Sequence, residues 1–341
     1  MNEKKVVLTG IKPTGSPHLG NYLGAIRPAL ELAARPDTVP LYFIADYHAV
    51  TSVHDKERLR HLTYEVAATW LACGLDPERC LFYRQSDIPE VFELSWLLSC
   101  FTPKGFMNKM HAYKAAVADN EAAGRDPDDG VNIGLYTYPI LMAADIVLFD
   151  CDLVPVGRDQ VQHVEIARDI AERLNRALKN KKALRLPRPM VVEQAAVVTG
   201  LDGRKMSKSY DNTLPLFAPP KTLRKLINGI RTDSRPADAP KDPAESLIFE
   251  LYKGLASPED TQALAERYQA GISWGEAKQA LFEAFERQFA EPRERYAELM
   301  ANPERIDALL NEGAERARAI ARRVLQRVRD ALGSTAQRLI I

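Results

Sequence analysis

Three short apolar runs near the start of the chain, KVVLTG (5–10), PLYFIADYH (40–48) and CLFYRQS (80–86), are rich in β-branched and aromatic residues. Runs of this length without polar alternation predict strands buried on both faces, as in a parallel sheet. Between them the apolar positions recur at threes and fours. Leu59, Leu62, Val66 and Trp70 make one face of a helix over 55–73, and IPEVFELSWLLSCF (88–101) makes another with an unusually apolar flank. A helix over 133–149, the strand DLVPVG and a helix from 159 to about 178 follow. Strand and helix in alternation predict an α/β fold with a doubly wound parallel sheet. Residues 102–132 break that rhythm with Gly, Pro, Asp and Lys, which predicts an insertion over the sheet's edge or an active-site lid. From Thr222 onward, TLRKLINGI, AESLIFELYKGLA, TQALAERYQAG and the segments after them are helical patterns with short breaks, so a second, all-α part is expected.

Composition narrows the function classes without choosing one. The 341 residues are enough for one large or two modest cores. Forty-six Lys and Arg balance forty-six Asp and Glu, so any contact with nucleic acid has to come from local basic patches. Cys73, Cys80, Cys100 and Cys151 show no metal-ligand spacing and read as reduced core residues. No stretch is apolar enough to cross a bilayer and MNEKKVVLTG has no signal-peptide pattern, so a cytoplasmic protein is expected.

Candidate chemistry gathers in three segments. GRKMSKSYDN (203–212) sets Lys205 and Lys208 three apart, with Met206 as its one sizeable apolar residue and Gly203 and Asn212 as turn residues at its ends. It reads as an exposed, mobile loop whose two ammonium groups, in a turned conformation, face one side and suit a polyanion. Taken alone, such a run is ordinarily a solvated charged loop. In GIKPTGSPHLGNYLGAI (10–26), Ser16 and Pro17 read as N-cap and first residue of a helix leaving the first strand, an anion-binding position. A capped helix with an exposed histidine fits the same residues. On the helix 133–149, Tyr138, Met142 and Asp145 stand at i, i+4 and i+7 and share a face. A carboxylate amid ILMAADIVLF is costly unless something donates to it; an indole N–H would, and so would a structural ion pair.

Together these segments carry a family resemblance. HLGN (18–21) resembles the HIGH motif of class I aminoacyl-tRNA synthetases, and KMSKS (205–209) matches their second signature letter for letter. The stretch TYPILMAADIVLFDCDLVPVGRDQVQHVEIARDIAERLN (137–175) is similar to the bacterial-type tryptophanyl branch. The resemblance implies a Rossmann-like catalytic domain over 1–215 with the insertion at about 102–132, and an α-helical anticodon-binding domain over 216–312. A C-terminal helix over 313–341 would pack back toward the catalytic domain.

The same resemblance implies an activity: ATP-dependent activation of L-tryptophan to the adenylate and transfer to tRNA(Trp). It casts His18, Asn21, Lys205 and Lys208 as catalytic residues and places Lys12, Thr14, Gly15, Gly20, Gly157, Asp159, Gln160, Val197, Met206, Ser207 and Ser209 around ATP with them. Leu8, His48, Tyr138, Met142, Asp145 and Gln160 would hold tryptophan, His48 from the end of the second strand. Lys12 stands where many tryptophanyl enzymes have glutamine, Asn21 stands for the second family histidine, and Lys114 falls near a family lysine that touches ATP. Mg²⁺ is implied on the phosphates, held mainly by substrate, with no protein metal site. A homodimer is implied, with 88–101 and 102–132 as candidate interface segments. Arg267, Lys278, Arg287, Arg293 and Arg295 are the candidate basic surface for the anticodon.

Overall fold

A computed structural model describes residues 4–13, 15–192 and 198–334, the side chain of Asp159 excepted. Its described strands form one parallel sheet in the order β3-β2-β1-β4-β5: β1 Lys5–Ile11, β2 Thr38–Ile44, β3 Leu81–Arg84, β4 Leu153–Val156 and β5 Arg188–Val191. This is the doubly wound α/β arrangement the pattern predicts. β5 was not anticipated, because RPMV is short and carries a proline that suits only a sheet's edge.

After β1 the chain runs through α1 (Leu19–Asn21), a π-helical turn (Tyr22–Ile26) and α2 (Arg27–Ala33). β2 ends earlier than expected, at Ile44. Asp46–Ala49 turns at once into a short helix α3, so His48 sits on a helix and not at the strand's end. Next come α4 (Lys56–Ala72), N-capped by Asp55, and α5 (Pro89–Cys100). The insertion is less irregular than its Gly and Pro content suggests, since it folds into α6 (Lys104–Met107) and α7 (His111–Ala122). The buried Asn120 side chain donates to the carbonyls of Pro127 and Asp129 and fixes the turn after α7. α8 (Ile133–Val147) and α9 (Val161–Ala177) flank β4. The remaining helices are α10 (Pro220–Asn228), α11 (Leu247–Leu255), α12 (Pro258–Ala270), α13 (Trp274–Ala301) and α14 (Pro303–Leu332). Among the described residues, no helix is long and apolar enough to cross a membrane.

Alternation along β2 sends Tyr42 and Ile44 to one face and Leu41 and Phe43 to the other, and a separate apolar cluster builds on each. The first joins Leu19, Ile26, Val66 and Trp70 to Leu223, Leu251, Phe285 and Phe289, so the later helices share a core with one face of the sheet. The second joins Leu8, Phe43 and Tyr83 to α5, α8, α9 and the second half of α14. α14 passes from the first cluster at Ile306 and Leu310 to the second from Ala314 onward, crossing the β3 edge. There Gly313 lies against the Phe82 backbone, where a side chain would collide with the Phe82 carbonyl.

Strands β2 and β3 extend the sheet to one side of β1, and β4 and β5 to the other. The strand order therefore reverses between β1 and β4, and a crevice opens beyond their carboxyl ends, the usual place for a ligand in such a sheet.

Candidate active site

Two adjoining cavities occupy that crevice. The larger, about 600 Å³, is lined by Leu8, Ile11 and Lys12 from the end of β1, by Val156, Gly157 and Gln160 after β4, and by His48, Tyr138, Met142 and Asp145. The smaller, about 330 Å³, shares Ile11 and Lys12 and adds Gly15, His18, Asn21, Ser207, Lys208 and Ser209, backed by Val66 and Trp70 of α4.

The larger cavity is apolar apart from a few polar groups, and Asp145 is the deepest of them at 2% exposed. The i, i+4, i+7 face of α8 brings Tyr138, Met142 and Asp145 to one wall. Asp145 is not alone, however. His48 Nε2 lies 2.9 Å from Oδ2, and the Gln85 amide donates to both carboxylate oxygens at 2.9 Å. Burial still pushes the Asp145 carboxyl above the usual carboxylate range, with the His48 contact opposing it. Gln85, fully buried on the 3₁₀ turn Gln85–Asp87 after β3, was missed by the sequence reading. Its one signal was its place at a strand's carboxyl end. His163 was missed too; its Nε2 lies 3.4 Å from the Tyr138 hydroxyl above the same cavity.

The smaller cavity is cationic, and the chain enters it differently from the capped helix expected. Ser16 is not the N-cap. Its hydroxyl donates to Glu65 at 2.6 Å, and His18 takes the N-cap position in an extended conformation, its N–H bonded to Asn21 Oδ1 at 3.1 Å. An edge-like bridge to Pro215 and the bond from Leu19 N–H to the Leu214 carbonyl at 2.8 Å fix this strand-to-helix corner. His18 is 8% exposed, not an exposed histidine. Burial first, and the Lys208 charge second, push its imidazole down to about 4, so it is neutral at pH 7. Gly20 leaves room for the ring, since a Cβ there would stand 3.0 Å from His18 Nδ1. Lys12 donates to Thr51 Oγ1 at 3.1 Å, and burial lowers its pKa.

The KMSKS segment is better anchored than its polar composition suggests. Met206 is 4% exposed within the first apolar cluster, and its sulfur accepts from Gly20 N–H at 3.3 Å. The buried Asn212 accepts from Ser207 N–H and donates to Asp202 and to the Lys205 carbonyl. Lys205 pairs with Thr199 in a strand-like bridge, Ser207 is extended, and a 3₁₀ turn begins only at Lys208. The turned conformation that would set both lysines on one side is absent. Lys208 reaches into the smaller cavity, and a Cβ at Gly15 would stand 2.5 Å from its Nζ. Lys205 and Met206 line neither cavity, and Lys114, on α7, lies outside both, although its neighbour Ala112 borders the larger. Thr14 and Val197 lie outside the described residues, and for Asp159 only the backbone, in the 3₁₀ turn Arg158–Gln160, is described.

The geometry is thus an apolar slot ending in a hydrogen-bonded carboxylate, joined at β1 to a cationic cavity. A family profile described as "tRNA synthetases class I (W and Y)" matches residues 1–290. The chain belongs to that family. A tryptophan–tRNA ligase from Neisseria meningitidis is 53% identical over 331 residues, covering 97% of this chain and 98% of that protein. One from Pseudomonas aeruginosa is 53% identical over 328 residues, covering 96% of this chain and 73% of that protein. Among solved structures, the tryptophanyl-tRNA synthetase from Campylobacter jejuni complexed with ADP and tryptophan is 42% identical. It superposes with a TM-score of 0.86, over 96% of this chain and 99% of that one. The Mycoplasma pneumoniae enzyme is 30% identical, with a TM-score of 0.79 over 98% and 99%. As a class I synthetase, the chain has its two signature segments facing each other across the smaller cavity, His18 and Asn21 from one and Lys208 from the other.

Proposed function

We propose that this class I synthetase activates L-tryptophan with ATP and transfers it to tRNA(Trp), with the larger cavity holding the amino acid and the smaller one the triphosphate. The observation that carries the reading is the placement of Asp145, a buried carboxylate at the wall of a largely apolar cavity, beside a second cavity lined by Lys12, His18 and Lys208. An indole N–H is a donor and nothing else, and it finds an acceptor there.

In adenylation the tryptophan carboxylate attacks the α-phosphorus in line and pyrophosphate leaves, so no enzyme nucleophile is needed. The side chains act by position and charge. Neutral His18 donates a hydrogen bond to a phosphate oxygen, Asn21 holds the corner that aims it, and Lys208 offsets charge on the departing pyrophosphate. Among the described residues, the lining of the smaller cavity includes no carboxylate that would hold Mg²⁺. An accompanying Mg²⁺ would be carried by the triphosphate, and no step is assigned to it. The 216–312 segment is proposed for the anticodon, a homodimer as the working assembly and the cytoplasm as its location.

ATP–pyrophosphate exchange without tRNA, run with each of the twenty amino acids, tests the reading. Exchange dependent on tryptophan is expected; dependence on tyrosine would reassign the substrate within the same family. Lys208→Ala is expected to lower the adenylation kcat by roughly 10²-fold with little change in tryptophan binding, because the charge acts on the transition state. An equal loss in both would make the lysine a support of the amino-acid slot.

A further inference from the structure

Glu65, on α4, is a carboxylate that the mechanism above does not use, and it is 5% exposed. Its Oε1 accepts from the Ser16 hydroxyl at 2.6 Å and from the Tyr296 hydroxyl at 3.2 Å, and His61 Nε2, one turn earlier, lies 3.8 Å away. Its Oε2 is buried with no hydrogen-bond partner among the described residues. A carboxylate oxygen left so is costly unless a cation stands near it. Ser16 adjoins Gly15, the residue over which the Lys208 ammonium sits, and Val66 beside Glu65 lines the cavity that Lys208 enters. The carboxylate's field opposes the loss of the Lys208 proton that burial promotes.

We infer that Glu65 is a positioning residue that holds the Lys208 ammonium beside Gly15 while no nucleotide is bound and releases it to the triphosphate when one arrives. The inference rests on the phosphate reading of the smaller cavity. Before ATP binds, that cavity brings Lys12 and Lys208 together with no anion among the described lining residues, and Glu65 supplies negative charge from behind it. Binding then exchanges one anion for another. The free state is stabilised by the Glu65 charge acting on the lysine across the Ser16–Gly15 corner, and ATP has to outweigh it. Tyr296, from α13, ties the same carboxylate to the helical part, so the lysine's resting position is set by three separate segments.

Steady-state ATP–pyrophosphate exchange on wild type, Glu65→Gln, Lys208→Met, their double variant and Tyr296→Phe tests this. Glu65→Gln is expected to lower the KM for ATP on the order of threefold to tenfold, leaving kcat and the KM for tryptophan within about twofold. That gain disappears in the Lys208→Met background. Tyr296→Phe, which removes a neutral hydrogen bond and no charge, leaves the KM for ATP unchanged. Glu65→Asp keeps the charge and withdraws it by a methylene; its shift is in the same direction and smaller, and it serves if the glutamine variant does not fold. An ATP KM that Glu65→Gln leaves unchanged or raises, beside an impaired Lys208→Met, would overturn this inference alone. A gain that persists without Lys208 would also overturn it. Undiminished exchange in Lys208→Met would overturn the phosphate reading and this inference together.

Discussion

Burial disfavours charge on Asp145, and the contacts with His48 and Gln85 oppose that effect. The penalty for a substrate without an indole N–H is therefore softened, since the carboxylate keeps two donors whatever fills the slot. Discrimination rests on the remaining lone pairs and on shape. Replacing Asp145 by Ala is expected to cost roughly 2–4 kcal/mol in kcat/KM for tryptophan, read from exchange kinetics. His18 makes a second prediction at this scale. Its pKa of about 4 in the native state lies below the ordinary 6.5. Between those values the unfolded chain holds a proton that the native chain does not, so stability falls as pH drops through that window and is unaffected by this group above it. Urea unfolding at pH 7.5 and pH 5 should show a larger loss for wild type than for His18→Gln. Asp145 was legible in the sequence because a lone charge in an apolar helix is conspicuous. Gln85 and the Ser16–Glu65 contact were not, because their partners lie 60 and 49 residues away and nothing in local spacing announces them.

The 203–212 segment shows where composition misleads about an element. Its polar residues suggested mobility, yet Met206 and Asn212 pin it from two sides. Asn212→Ala leaves Ser207 N–H and the Lys205 carbonyl without their partner, at about 1–3 kcal/mol for the loop's local stability. Limited proteolysis should then cut within 203–210 faster than in wild type, while global unfolding moves less. The helices and central strands were legible from periodicity, but the local breaks were not: β2 yields to α3, and the insertion is ordered by Asn120. A helix start with Ser and Pro in the right places failed because Glu65 offered Ser16 a better partner than the backbone.

At the scale of the whole molecule, 341 residues give a radius of gyration of roughly 20 Å, too small for one subunit to span a tRNA from acceptor end to anticodon. The proposed dimer answers this. Trp96 on α5 is 69% exposed and Ile133 75%, apolar surface that an isologous contact would cover. Trp96→Glu is expected to shift the protein toward monomer in sedimentation velocity and to reduce charging more than it reduces exchange. The five basic residues proposed for the anticodon are all engaged already. Arg267, Arg287, Arg293 and Arg295 pair with Glu276, Asp260, Glu286 and Glu291, and Lys278 donates to the Asn228 carbonyl. RNA would have to compete with those pairs, which the sequence, showing charges without their neighbours, did not reveal.

The crossing of α14 over β3 has a consequence for how the chain is made. An uncovered edge strand presents unpaired backbone groups to any other chain, and here the cover is the last long helix. On the ribosome, at about 5–20 residues per second, β3 emerges many seconds before the helix that shields it. Throughout that interval the nascent sheet depends on chaperones or on its own α5 to stay unassociated. A chain stopped at Ala301 should therefore accumulate as aggregate even though all five described strands are present. Supplying the 303–334 segment as a separate peptide during refolding should recover soluble protein, and the same peptide carrying Gly313→Val, unable to approach Phe82, should not.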